Sequence, residues 1–377
     1  MGIKPDYTIP TMAEIRQIKP NGFKAASTFS GCGGSSLGYK MAGFKVLWAN
    51  EFVPAAQDTY RENHTGTFLN TSDIRKITPE QFFEESGTVK GEIDLFDGSP
   101  PCASFSMAGK REEHWGKVKK YSDVQQRTDD LFYEFARMLE AIQPKVFVAE
   151  NVAGLVKGTA KGYFKEIMRK LKLCGYNVKC KVLNAQWLGV PQSRQRTIFV
   201  GTRLDLNKEP RHPIPLPYCY SIRDALPYIK RVTGRTGPQF TRVESEVDHP
   251  INTIIAQETA RFEAEVDLEN YALGKEWDKL KVGERSEKYF QLRKPDPDKP
   301  IDTVQACHGT SPGTATSCVH PYEKRKFRID EIKRLCSFPE DFIFTGNYAQ
   351  QWERMGRAVP PLMMKAIAET IRDHVLK

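Results

Sequence analysis

The chain is 377 residues long, 40% hydrophobic and 27% charged, with a formal net charge of +9. This predicts a globular protein of two or three domains, or one large domain carrying a smaller one, and argues against a membrane span, because no apolar run reaches the roughly 18 residues needed. Eight cysteines without a C-x-x-C pair, and no signal-peptide pattern over residues 1–20, predict reduced thiols in the cytoplasm and no disulfide framework; the charge admits a polyanionic partner without demanding one.

Residues 1–22 are polar, with a weak amphipathic stretch (Met12, Ile15, Ile18) that reads as a surface lead-in. From Phe23 the pattern becomes FKAASTFSGCGGSSLGYKMAGFKVLWANE. A β-prone run ends in Phe29, Ser30, Gly31, Cys32, Gly33 and Gly34, a helix carries Leu37, Tyr39 and Met41, and a strand over residues 44–48 leads to Glu51. Glycines between strand and helix let a ligand approach the backbone, and an acidic residue roughly 20 positions on can hold ribose hydroxyls. The spacing is F-x-G-x-G-G and not G-x-G-x-x-G, which favours an adenosine-type cofactor over a dinucleotide. Within residues 67–77, Asp73 and Ile74 form a candidate strand end that could meet an adenine edge.

The stretch over residues 92–110 reads EIDLFDGSPPCASFSMAGK. An apolar run ends at Asp97 and Gly98, read as breaker chemistry where a buried strand surfaces. Pro100 and Pro101 stiffen the backbone directly before Cys102. A thiol on a rigid turn beside a small-residue, basic segment is how a presented nucleophile looks; a buried structural cysteine is the competing reading. Further on, residues 131–142 have helical apolar spacing and stop at Pro144. Residues 145–149 form a strand ending in Glu150, Asn151 and Val152, residues 163–173 a helix, and residues 178–183 and 197–201 two more strands. This alternation predicts an α/β fold: a doubly wound, mainly parallel sheet with ligands at the carboxyl ends of its strands.

Residues 202–325 lose that rhythm and predict a second, smaller, irregular domain with short edge strands at 251–256 and 301–306. Cys307, His308, Cys318 and His320 lack zinc-finger spacing, so no metal is expected. Residues 326–377 return to helices, the last one carrying Leu362, Met363, Ala366 and Ile367 towards the first sheet.

Taken together, F-x-G-x-G-G, Pro-Pro-Cys, Glu-Asn-Val, QSRQR at residues 192–196, RLCSFP at 334–339 and G-x-A-V-P at 356–360 resemble, in order and over about residues 25–375, the DNA (cytosine-5)-methyltransferases. The resemblance implies a Rossmann-like, S-adenosylmethionine-dependent methyltransferase fold. Residues 1–201 would be the catalytic and cofactor-binding domain, 202–325 a target-recognition domain, and 326–377 a return to the catalytic domain. Duplex DNA would be the partner, met by a monomer on the nucleoid.

Carbon 5 of cytosine is a poor nucleophile, so the ring's aromaticity must first be broken. The resemblance makes Cys102 the thiolate that attacks carbon 6, Glu150 the carboxyl that relieves charge at nitrogen 3, and Arg196 the group reaching the base oxygen. Arg194 would help hold a phosphate or the loop, and Asn151 would orient the loop. The target base must leave the duplex, with residues 103–122 closing over it and Lys110, Arg111, Lys117, Lys119 and Lys120 facing phosphates. For the cofactor the resemblance implies Phe29 on the adenosine, with core packing as its competing role, and Gly31, Gly33 and Gly34 under the amino-acid end. Glu51 with its neighbour Phe52 would take the ribose, Asp73 and Ile74 the adenine, and Pro101 and Leu131 the pocket walls. Arg357 and Ala358 would lie beside the methionine part.

Three motifs depart from the family pattern: Ser27 and Thr28 stand before Phe29 where Asp-Leu is usual, Ala103 in place of Gln, and Arg357 in place of Asn. A second cation about 5 Å from a sulfonium at an effective dielectric of 20 costs on the order of 3 kcal/mol. Arg357 must then turn to a carboxylate such as Glu353 or to a phosphate, or the cofactor is carboxy-S-adenosylmethionine and the product 5-carboxymethylcytosine. Two other readings are a transfer-RNA cytosine-5 methyltransferase and a silent DNA-binding relic; the long variable region and the charge speak against the first, and Cys102, Glu150 and Arg196 together against the second.

Overall fold

A computed structural model of the protein describes residues 4–101, 119–121, 124–126, 130–156, 161–229, 266–311 and 313–377. Its strands are β1 (Lys24–Thr28), β2 (Lys45–Asn50), β3 (Phe68–Asn70), β4 (Leu95–Gly98), β5 (Lys119–Tyr121), β6 (Val124–Gln126), β7 (Val146–Val152), β8 (Tyr176–Asn184), β9 (Gln192–Ser193), β10 (Gln195–Arg203) and β11 (Ile301–Asp302). Seven of them form one sheet in the order β3-β2-β1-β4-β7-β10-β8. The β3–β2, β2–β1, β1–β4 and β4–β7 pairs are parallel, and β10 runs antiparallel to both β7 and β8. The expected doubly wound, mainly parallel sheet is therefore present, with one reversed strand inserted near its edge.

The helices are α1 (Met12–Gln17), α2 (Gly34–Met41), α3 (Pro54–Asn63), α4 (Pro79–Ser86), α5 (Leu131–Ile142), α6 (Lys161–Leu173), α7 (Ile222–Ala225), α8 (Ala272–Lys279), α9 (Ile329–Leu335), α10 (Tyr348–Arg357) and α11 (Pro361–Ile371). The two-residue period of a strand sends neighbours to opposite faces. Ala26, Phe96, Phe147 and Phe199 join α4, α5 and α6 in one core, and Ala25, Leu95, Val146 and Val200 join α2 and α11 in another. Burial on both faces explains why these strands read as continuous apolar runs.

Three sequence expectations are corrected by packing. The N-terminal stretch is no surface lead-in: Tyr7, Met12 and Ile15 are buried with Leu37, Met41, Phe338 and Phe342, and Thr11 and Glu14 close a capping box at the start of α1. Asp97 and Gly98 do not mark a surfacing strand, because all four residues of β4 are buried. Gly98 is required there by close approach, since a Cβ would sit 2.5 Å from the Phe135 ring and 2.7 Å from Thr28 Oγ1. The strand expected at 301–306 shortens to Ile301–Asp302, which pairs in parallel with β9; the piece at 251–256 lies outside the described residues.

Within residues 266–325 a small separate core gathers Leu268, Leu273, Trp277, Leu280, Leu292 and Val319. It is tied to the helical return by Arg325, whose two terminal nitrogens each donate to Glu331 at 2.8 Å. Among the described residues no helix is long and apolar enough to cross a membrane.

Candidate active site

At the carboxyl ends of β1, β2, β4 and β7 lies a cavity of about 980 Å³. One wall is the glycine turn after β1. Phe29 holds a left-handed backbone (φ 53°), a costly conformation for a bulky residue, and lines the cavity beside Gly31. The Gly31 N–H donates to Glu51 Oε2 at 2.7 Å, and the Val53 N–H to Oε1 at 2.7 Å. Burial pushes the Glu51 carboxyl above its ordinary range, and these two backbone donors pull against that shift. Gly33 (φ 91°) caps α2 from the left-handed region and fits over His64, where a Cβ would lie 2.0 Å from Nε2; at Gly34 a Cβ would lie 2.3 Å from the Val359 carbonyl. Gly33 thus serves the packing under the turn, while Gly31 and Gly34 reach the cavity.

Phe52, Ile74, Pro101, Leu131, Arg357 and Ala358 also line the cavity, as does Asp73. Asp73 caps a short 3-10 turn (Ile74–Lys76) rather than ending a strand. Its carboxylate is shared with Arg75, which also grips Asp130 through two nitrogens.

The facing wall is built by β7 and β10. Arg196 lies opposite Val152, and Glu150 opposite Ile198, which puts the arginine and the glutamate diagonally on one face of the antiparallel pair. Arg196 Nε reaches Glu150 Oε1 at 2.7 Å, with both side chains largely buried. Asn151 Nδ2 donates to the Pro100 carbonyl at 3.2 Å, anchoring the Pro-Pro turn from the neighbouring strand. Arg194 behaves differently from Arg196. It is 1% exposed and sits in the step between β9 and β10, donating to the carbonyls of Val304 (3.2 Å), Gly356 (3.0 Å) and Arg357 (3.3 Å). Its two terminal nitrogens are taken by backbone carbonyls while the buried Nε has no hydrogen-bond partner, and burial pulls the guanidinium down to about 9.

Under both walls lies Asp97, paired across the sheet with Ser27. It accepts from Ser27 Oγ at 2.9 Å and from Tyr39 Oη at 2.8 Å. Burial raises it to about 7, the charge of Glu150 adds to that, and the hydroxyl donors oppose it. Arg357 turns to Glu353, with Nε 2.7 Å from Oε1. Cys102, Lys110, Arg111 and Lys117 lie outside the described residues. Lys119 and Lys120 fall in β5, whose backbone forms an antiparallel ladder with β6 instead of an open loop.

The sequence pattern of the C-5 cytosine-specific DNA methylase family matches residues 23–373. The chain belongs to that family. This methyltransferase is 31% identical over 350 residues to the type II methyltransferase M.NgoFVII of Neisseria gonorrhoeae, covering 92% of this chain and 86% of that one. It is 32% identical over 349 residues to M1.HphI of Haemophilus parahaemolyticus, covering 91% and 85%. Its fold matches a solved E. coli protein described as a prophage-encoded DNA modification methyltransferase, with a TM-score of 0.70 and 20% identity over 94% of this chain and all of that one.

Membership implies S-adenosylmethionine as the methyl donor, and the methyltransferase's own residues fit it. The glycine turn exposes backbone to the cavity, the buried Glu51 carboxylate keeps acceptor capacity beyond the Gly31 and Val53 donors, and apolar Phe29, Ile74 and Leu131 line the same cavity. Sequence reasoning passed over Asp97, whose Asp-Gly setting resembles a turn, and over Arg354, a buried residue of the cavity wall. The i, i+3 spacing of Arg354 and Arg357 on one helix was the available signal for the latter.

Proposed function

We propose that the methyltransferase acts on a cytosine turned out of duplex DNA, with Cys102 forming a covalent bond to carbon 6. The observation that carries this reading is the Glu150–Arg196 pair at 2.7 Å, set across one cavity from the Gly31–Glu51 contact. An acid–base carboxyl and a fixed cation for the base thus share a space with a cofactor cradle. Cys102 follows Pro101 directly in the chain, and Asn151 pins the Pro100 carbonyl, which supports a thiol delivered from a fixed turn. A free thiol titrates near 8.5 and becomes the nucleophile as its thiolate. Attack on carbon 6 pushes electron density into the ring; Glu150 supplies or shares a proton at nitrogen 3, and Arg196 steadies both Glu150 and the base oxygen. The donor, when bound, supplies an electrophilic methyl group. Transfer of the carbon-5 proton to a water molecule, departure of the Cys102 thiolate and return of the nitrogen-3 proton to Glu150 then restore the aromatic ring.

In this reading Glu51 and Phe52 take the ribose, Asp73 and Ile74 the adenine, and Gly31 and Gly34 the amino-acid end. Arg194 becomes a positioning residue that fixes the end of α10. The pairing of Arg357 with Glu353 supports ordinary S-adenosylmethionine over the carboxylated cofactor, because the extra cation already has its carboxylate. The names of the type II relatives favour DNA over transfer RNA and a modification role beside a restriction enzyme. Residues 202–325 would choose the site. Bisulfite sequencing of DNA from expressing cells should reveal protected cytosines in one sequence context. DNA carrying 5-fluorocytosine should form a covalent adduct that Cys102→Ala loses. An adduct persisting without Cys102 would overturn the assignment.

A further inference from the structure

Beneath the glycine turn lies a carboxyl that the proposed chemistry does not use. Asp97 is 1% exposed, and its two oxygens accept from Tyr39 Oη of α2 at 2.8 Å and from Ser27 Oγ of β1 at 2.9 Å. Ser30 Oγ donates in turn to Ser27 Oγ and to the Ser27 carbonyl, both at 3.1 Å. The Ser35 hydroxyl, at the start of α2, favours the charged carboxyl as well. Ser30 and Ser35 line the cavity beside Gly31 and Gly34. Asp97 therefore sits one hydroxyl layer below the wall on which the amino-acid end of the cofactor is proposed to rest.

A hydroxyl or an amide would tie β1, β4 and α2 together as well as a carboxyl does. Taking an ionised carboxylate out of water is expensive unless a cation or strong donors compensate. The groups bonded to the Asp97 oxygens are hydroxyls. The charge that bears on it most is Glu150 of β7, which has its own sign and is itself paired with Arg196. The other titratable groups facing it are Tyr39 from α2 and Tyr60 from α3, both pushed up by burial and so neutral near pH 7. Burial leaves Asp97 itself at about 7, poised between its two forms, and a positive charge arriving in the cavity tips it towards the ionised one. The donor implied by family membership carries a sulfonium; the thioether that remains after transfer is neutral at that atom.

Resting on the function proposed above, we infer that Asp97 is the buried countercharge for the donor's sulfonium, so that the cradle favours the charged donor over the thioether left after transfer. It is a positioning residue, reaching the cavity through Ser27, Ser30 and Ser35. Donor binding draws the carboxyl into its ionised form and expels a proton to the buffer. After methyl transfer the proton returns, and the product is released from that attraction. Opposite charges about 10 Å apart at an effective dielectric of about 20 shift such an equilibrium by roughly tenfold.

Isothermal titration calorimetry of the full-length protein, in two buffers of different ionisation enthalpy, counts the protons released by S-adenosylmethionine and by S-adenosylhomocysteine. Wild type is expected to release a fraction of a proton to the first, most at about pH 6.5, and to show no matching release with the second. Its preference for the donor over the product should rise roughly tenfold between about pH 5.5 and pH 8. Asp97→Asn keeps the shape and an acceptor for the hydroxyls; it should abolish the release and hold the preference flat at its low-pH value. Glu51 is also raised by burial, but in the proposed reading it takes the ribose that both ligands share, so any proton it loses appears in both titrations and cancels. Glu150→Gln, which removes the like charge, should move the release to lower pH. Equal release with both ligands, or release that survives in Asp97→Asn, overturns the countercharge, as does a variant that weakens both ligands equally at every pH. Failure of wild type to bind either ligand sinks the cofactor reading itself, which donor binding without proton release would leave standing.

Discussion

The two walls of the cavity are held by different means. On the sheet side Ser27, Asp97, Glu150, Asn151 and Arg194 are all buried, and each is bonded to another strand, to the Pro-Pro turn or to a helix end. On the other side, residues 266–325 rest on a core of six buried apolar residues and hold the rim through backbone turns, with Phe290, Gln291 and Cys307 exposed. The contrast suits the division of work proposed above. The covalent chemistry proposed for the sheet side needs groups fixed to a fraction of an ångström, which buried strands supply. A surface that must meet a long polymer can leave its contacts in water until the partner arrives.

The largest expected effect lies at the proposed nucleophile. Cys102→Ala should lower methyl transfer by about 10⁴-fold or more, as loss of a covalent nucleophile does elsewhere, while filter binding to duplex DNA persists. Glu150→Gln removes the proposed acid–base group and the partner of Arg196; the single-turnover rate should fall by about 10²–10³-fold. A rate near wild type would remove the sheet wall from the chemistry.

Stability measurements sharpen the comparison further. Arg194→Met strands three carbonyls contributed by two different segments, so urea unfolding should show a loss of about 2–4 kcal/mol. An exposed arginine gripping phosphate would instead lose DNA affinity and no stability. Asp97 gives a signed pH effect. Its folded value of about 7 lies above the ordinary carboxylate value near 4, so the folded protein holds more protons in that window. This group's contribution is complete below about pH 4 and is lost as pH rises through 7. Asp97→Asn should therefore flatten stability between pH 5 and 8, gaining about 1–3 kcal/mol over wild type at pH 8 relative to pH 5. A difference that does not vary with pH would break the assignment.

The smallest effect is expected at Arg357. Its partly exposed i, i+4 pair with Glu353 contributes about 0.3–0.5 kcal/mol, so Arg357→Asn should barely move the melting temperature. Mass spectrometry of product nucleosides should find 5-methylcytosine from wild type and variant alike. A carboxymethyl product made by wild type and lost in the variant would reinstate the carboxylated cofactor.

What the sequence alone determined was whatever rests on local pattern. The F-x-G-x-G-G turn, the parallel strands and the order of motifs were legible, because two-residue alternation, helical spacing and glycine turns are short-range properties. Glu51 was legible too, since the β-α-β unit fixes how far along the chain an acidic residue returns to the turn. The tertiary structure decided the roles of residues whose neighbours lie far away in sequence. Arg194 and Arg196 look equivalent two positions apart, yet one meets Val304, Gly356 and Arg357 and the other meets Glu150. Asp97 looks like a turn residue until Tyr39 and Ser27 close over it and Phe135 packs on Gly98. Met12 and Ile15 look like a surface stretch until the helices near the C-terminus supply the apolar face they bury against. Burial and long-range pairing are properties of the assembled chain, because desolvation depends on everything that packs around a group and not on the residues beside it in sequence.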